Sequence, residues 1–214
     1  MPNVPRQRRR FAAARELLLA LLPALLLAML VWQLLPVTAS SSPRPWDKGV
    51  VRYYDASGMR RTVVTAAARW NSSGAHVRLQ EARSVREADV VIESNDNWLY
   101  RLCGRDCLGY TTSIGRPSRG QTTVLLAGEL RGTPRPLSVW VAAHELGHVL
   151  GLEHHDGKAC SLMSPHAFDT RCAPSLAAEP PTLEQLACVP APADVEAAAR
   201  LYGGKPAFVD PRCR

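Results

Sequence analysis

Apolar positions recur along much of the chain with the spacing of short strands. Runs that are rich in β-branched residues, or that alternate between apolar and polar residues, predict strands at residues 50–54, 77–80, 88–93, 108–112 and 122–126. The run at 88–93 is nearly continuous rather than alternating, which is typical of a strand covered on both faces. We therefore expect it near the centre of a sheet.

Three other segments have the spacing of helices. Residues 62–70 place their apolar side chains on one face. Ser138 is suited to the N-cap of a second, longer helix that ends near Val149. Residues 193–202 form a third helix, which the two glycines after it stop. This order of strand, helix, strands, long helix, loops and helix predicts an α+β fold.

The N-terminal apolar segment, residues 17–37, is long enough to cross a bilayer and follows a cluster of arginines. Two interpretations stay open: a signal anchor, which the length of the run favours, or a signal peptide cleaved near Ala39. Both place the rest of the chain outside the cytosol. The predicted organisation is a basic N-terminus with a membrane segment at 1–38, a Ser/Pro-rich linker at 39–45 and a folded domain at 46–214.

The charge of the chain changes this picture little. The formal net charge is +7, but +4 of it lies before residue 17, and the remaining +3 is too small for a nucleic-acid footprint. With 46% hydrophobic and 21% charged residues, the chain has the composition of a globular domain. We expect the remaining arginines on a solvated face: Arg60, Arg61, Arg69, Arg78, Arg83 and Arg86.

All six cysteines follow the apolar segment. An even number of cysteines in an exported chain predicts disulfides. Pairing of nearest neighbours is one of about 15 possible arrangements. It would join Cys103 to Cys107, Cys160 to Cys172 and Cys188 to Cys213.

The residues that suggest chemistry lie at the end of the second predicted helix. His144 and His148 are four residues apart and therefore share one helix face, where both can reach a zinc ion at about 2.0–2.1 Å. His154 can complete the set only if the chain turns back, which Gly151 permits because glycine readily adopts positive φ. The spacing predicts a catalytic Zn²⁺ site with three histidine ligands and a fourth position for water.

Glu145 follows the first of these ligands and is expected to face the water on the metal. Zinc lowers the pKa of such a water from about 15.7 to about 7. Glu145 would take its proton as general base and pass it to the leaving amine as general acid. The sequence therefore predicts a zinc metalloendopeptidase that acts, as a monomer, on protein or peptide substrates.

The motif and its surroundings resemble the metzincins, and among them the matrixins, the matrix-metalloproteinase type. Residues 141–154 are similar to the zinc helix, 161–165 to the Met-turn with Met163, and 193–203 to the C-terminal helix. The resemblance implies a metzincin-type catalytic domain, with a twisted mixed sheet and helices above a cleft and a smaller lower subdomain of loops and a helix. It also implies that residues 122–126 are the edge strand for an extended peptide, although a core strand is the alternative.

The chain departs from the matrixins in several places. It lacks a cysteine-switch motif, the structural-zinc and calcium residues expected between 111 and 130, and the tyrosine expected near His166. The family spacing selects His154 over the adjacent His155 as third ligand. An anchored binding or adhesion module on an inherited fold is the rival interpretation, but binding alone requires neither the three histidines nor the glutamate.

Overall fold

The predicted strands pair into one mixed five-stranded sheet in the computed structural model, which describes residues 43–155, 161–165 and 190–207. The strands are β1 (Val50–Asp55), β2 (Arg78–Glu81), β3 (Val90–Glu93), β4 (Gly109–Thr111) and β5 (Thr122–Leu126). The order across the sheet is β2-β1-β3-β5-β4, with β4 antiparallel to β5 and the other pairs parallel. The nearly continuous apolar run lies in the central strand β3, as predicted.

Four α-helices accompany the sheet in the described residues: α1 (Arg60–Asn71), α2 (Asp96–Cys103), α3 (Arg135–Val149) and α4 (Pro192–Tyr202). Helices α1 and α3 pack against each other and against the sheet. The apolar face predicted for α1 is confirmed, because Val63, Ala66, Ala67 and Trp70 are all buried.

Helix α3 is buried along almost its whole length, from Ser138 to Val149. Aromatic side chains from three other parts of the chain donate to carbonyls at its C-terminal half and just after it. Trp70 Nε1 donates to Ala143 O at 2.9 Å, Trp46 Nε1 to Val149 O at 2.7 Å, and the Tyr202 hydroxyl to Leu150 O at 2.7 Å. These bonds fix the part of the helix that carries the candidate site.

The predicted N-cap of α3 is wrong. The helix begins at Arg135, after Pro134, and Ser138 lies inside its first turn with its hydroxyl donating to Arg135 O at 3.0 Å. Pro136 explains the earlier start, since proline is favoured in the first turn, where its missing N–H costs nothing. Helix α2 was not predicted, although Asn95 is an N-cap whose side chain accepts from Trp98 N.

Residues 122–126 are not the edge strand. Strand β5 lies between β3 and β4, and its side chains are buried except for the half-buried Thr123. A strand covered on both faces belongs inside a sheet. The edge on this side, among the described residues, is the short strand β4.

One of the predicted solvent-facing arginines is also placed differently. Arg69 is half-buried, and burial lowers the pKa of its guanidinium, with the nearby Arg135 adding to the effect. The other five arginines of that group are exposed.

The predicted Cys103–Cys107 disulfide is confirmed. No helix in the described part of the chain is both long and apolar enough to cross a membrane. Several predictions concern residues outside the described ranges and stay predictions: the apolar segment 17–37, His166, Cys160, Cys172, Cys188 and Cys213.

We predict that Trp70→Phe lowers the free energy of unfolding by about 1–3 kcal/mol, because the Ala143 carbonyl loses its indole partner inside the core. Trp98→Phe is the matched control, since Trp98 is 38% exposed, and should stay within about 0.5 kcal/mol of the parent. Urea unfolding of the three proteins measures the difference. Equal stability of the two variants would contradict the role given to Trp70.

Candidate active site

Three histidines converge at the end of α3. His144 and His148 lie one turn apart on the helix, and the chain turns back at Gly151, whose φ is 92°. His154 then lies with its Nε2 3.1 Å from that of His148 and 3.3 Å from that of His144. A tetrahedral zinc ion with Zn–N bonds of about 2.0–2.1 Å would hold nitrogens about 3.3–3.4 Å apart. The predicted triad and the turn at Gly151 are therefore both present.

Backbone carbonyls orient the two helical imidazoles. The Nδ1 atom of His144 lies 2.6 Å from Leu162 O, and that of His148 lies 2.7 Å from Leu152 O. Because a carbonyl only accepts, both Nδ1 atoms must donate, which leaves the Nε2 lone pairs for a metal.

Burial keeps these two rings neutral. It lowers the pKa of His144 to about 3, with further lowering from His148, and it lowers the pKa of His148 to about 4. Neutral imidazoles are the form that binds a metal. Three converging nitrogens of this kind fit a zinc ion, and they are the group in the described residues that could hold a metal.

The turn beneath the triad is held by a buried carboxylate. Asp194, in the first turn of α4, accepts hydrogen bonds from the Ser161 hydroxyl, from Leu162 N at 2.7 Å and from Ala191 N at 3.0 Å. It therefore fixes the segment whose Leu162 carbonyl orients His144. Sequence reasoning missed this role, because an aspartate at a helix start is ordinarily a surface residue that favours the helix dipole.

Met163 packs against α3, the helix that carries His144 and His148. A Cβ placed on Gly147 would collide with the Met163 sulfur, so the close contact requires glycine at this position. Both residues lie next to the three histidines in the chain or in space. Gly147 directly precedes His148, and Met163 O accepts a hydrogen bond at 3.1 Å from the backbone N of His155, the residue after His154. The imidazole of His155 is not part of the group that could hold a metal.

Glu145 is also where the sequence predicted it, on the wall of a cleft next to the histidines. Its side chain is only 4% exposed, and burial raises its pKa to about 7, against the opposing effect of a hydrogen bond from Thr111. That bond joins Thr111 Oγ1 to Glu145 Oε2 at 2.6 Å. No local pattern indicates Thr111, because its contact with Glu145 crosses 34 residues.

The cleft has a volume of about 1090 Å³. Strand β4 lines one side of it, and the Cys103–Cys107 disulfide lies near the start of that strand. Trp140 lines it as well and stacks on His144, with ring centroids 5.3 Å apart. The arrangement combines three histidines that could hold a metal, a buried carboxyl group and an open cleft.

We predict that Asp194→Asn lowers the free energy of unfolding by about 1.5–3 kcal/mol, because an amide NH₂ would face donors that now share a carboxylate. Glu196→Gln makes the same chemical change at an exposed position on the same helix and should stay within about 0.5 kcal/mol of the parent. Urea unfolding measures both. The role of Asp194 is wrong if the two variants are equally stable.

The match to a protein family agrees with a proteolytic site. A family model described as the Streptomyces extracellular neutral proteinase (M7) family matches residues 49–185, more than half of the chain. Two solved structures of myroilysin are similar at 18% identity and a TM-score of 0.39; the matches cover 51% and 54% of this chain and 52% and 48% of theirs. The chain thus spans about half the length of these myroilysin chains. No curated protein matches it.

Proposed function

Because the chain belongs to the Streptomyces extracellular neutral proteinase (M7) family, we propose that it is a zinc-dependent metalloendopeptidase that acts outside the cytosol. Family membership makes it a metalloprotease, and three histidines can hold the metal. The observation that carries the finer proposal is the convergence of the three histidine Nε2 atoms beside a buried glutamate. The Met163 turn beneath them supports a metzincin-type site.

His144, His148 and His154 would hold the metal through Nε2. Three imidazoles at tetrahedral spacing suit zinc, whereas calcium and magnesium prefer oxygen ligands. When bound, zinc supplies a Lewis acid that polarises a carbonyl and makes water more acidic at neutral pH.

Glu145 is the group in the cleft suited to move the proton. Its carboxyl is buried, with its pKa raised to about 7, which is the range in which one group can act first as base and then as acid near neutral pH. It would take a proton from the attacking water and deliver it to the amine that leaves when the peptide bond breaks.

The substrate would lie extended along β4. This strand lines the cleft, and no other described strand pairs with its outer side. A peptide that adds as a further strand would pair with the backbone groups on the outer side of β4, the usual mode of recognition at a sheet edge. The edge strand assigned to residues 122–126 from the sequence is thus replaced by β4.

Action outside the cytosol has two supports in addition to the family. The Cys103–Cys107 disulfide is expected to persist only in an oxidising compartment. The apolar segment at 17–37 would direct export, as an anchor in the membrane or as a signal peptide cleaved near Ala39.

We predict that Glu145→Ala lowers kcat/KM for a peptide substrate by about 10²- to 10⁴-fold and leaves the zinc content unchanged. The reason is that the proton carrier is lost while all three ligands remain. Glu87→Ala, at an exposed position far from the cleft, is the matched control and should retain full activity. A Glu145→Ala protein with near-parental cleavage would exclude the proposed role.

We predict that a chelator abolishes cleavage of a mixed library of unstructured peptides and that added Zn²⁺ restores it. Mass spectrometry of the products identifies internal cleavage and reports the preferred side chain after the scissile bond. A folded, zinc-loaded protein that cleaves nothing in the library would contradict the endopeptidase and favour the binding-module interpretation.

A further inference from the structure

The edge strand β4 contacts Glu145 as well as lining the cleft. Thr111 Oγ1 lies 2.6 Å from Glu145 Oε2 and 3.2 Å from the Glu145 backbone carbonyl. Both of these oxygens accept, so the single hydroxyl hydrogen of Thr111 is directed to Glu145 and most closely to its carboxylate. One threonine thereby links the edge of the sheet to the helix that carries the metal ligands.

Gly109 contacts the other side of the same carboxyl group. Residues 109 and 111 are two apart and so project from the same face of β4. A Cβ on Gly109 would lie 2.5 Å from Glu145 Oε1 and 2.8 Å from its Cγ, closer than side-chain atoms approach one another. Strand β4 therefore offers Glu145 a hydrogen-bond donor at Thr111 and, at Gly109, the space that the carboxyl group occupies.

A glutamate side chain has three rotatable bonds, and a carboxyl group that moves proton between water and a leaving amine must stay within hydrogen-bonding reach of both. The helix fixes only the Cα and Cβ of Glu145. Within the described residues, this carboxylate accepts a hydrogen bond from Thr111. The position of the oxygens thus depends on β4.

We propose that Thr111 is a positioning residue for Glu145, and that Gly109 leaves the space in which the positioned carboxyl group lies. This inference rests on the proposed function, because it concerns the group that we assign as proton carrier. Strand β4 would then have two roles: it would bind the peptide, and it would align the carboxyl group of Glu145 with that peptide.

Thr111→Val tests the donor, because valine has the shape of threonine without its hydroxyl. We expect kcat to fall by about 10- to 100-fold, the range expected for a lost hydrogen bond to a charged group, with KM changed by less than about threefold. Thr111→Ser restores the hydroxyl and should recover kcat to within about threefold of the parent. Thr123→Val, on the neighbouring strand and outside the cleft, is the matched control and should keep full activity.

Gly109→Ala tests the space independently of the hydroxyl. The added methyl group meets the flexible end of Glu145, so we expect a folded, zinc-loaded protein with kcat reduced at least tenfold. Crystal structures of Thr111→Val and Gly109→Ala provide a readout besides activity. They should show the Glu145 carboxyl group displaced while the three histidines keep their positions.

The outcomes separate this inference from the proposed function. If Glu145→Ala is inactive but Thr111→Val matches the parent in kcat, the positioning role is wrong and the peptidase stands. If Thr111→Ser is as impaired as Thr111→Val, the hydroxyl is not the cause and the role is again wrong. If Glu145→Ala itself retains activity, Glu145 is not the proton carrier, and the proposed function is wrong whatever the Thr111 variants show.

Discussion

The hydrogen bond between His144 Nδ1 and the Leu162 carbonyl is the interaction on which the site depends. A histidine on a buried stretch of helix needs a hydrogen-bond partner for its second ring nitrogen. The partner comes from a segment 18 residues later in the chain. That segment must in turn be fixed, and Asp194 fixes it from the start of α4. The geometry of one proposed metal ligand therefore requires the C-terminal helix to be in place.

The same helix also explains the remaining contacts. Because α3 is buried from Ser138 onwards, it reaches the cleft only along a narrow strip, and that strip carries His144, Glu145 and His148. Indole and phenol groups donate to the carbonyls at its end, so the strip has little freedom to move. Strand β4 closes one side of the cleft and contacts the glutamate. Rigid placement of this kind is what a reaction with several aligned groups requires.

Much of the site could be predicted from sequence because it is local. His144 and His148 are related by one helical turn, and Gly151 indicates the chain reversal that places His154 beside them. The strands were also recognisable, since each is a short run that is rich in β-branched residues or that alternates between apolar and polar residues. The features that escaped prediction depend on distant contacts or on competing local signals. The N-cap was misassigned because Ser138 is a good cap in isolation, whereas two prolines begin the helix earlier. The buried role of Asp194 and the bond from Thr111 connect residues more than 30 apart, which no local pattern records. The edge position of β4 is likewise a property of the whole sheet.

X-ray diffraction across the zinc absorption edge would show whether His144, His148 and His154 bind one zinc ion. We expect a single strong anomalous peak within about 2.0–2.1 Å of the three Nε2 atoms. That result would assign both the element and its ligands in the folded protein. A zinc-loaded crystal with no peak between these nitrogens, or with the peak at other side chains, would exclude this metal site.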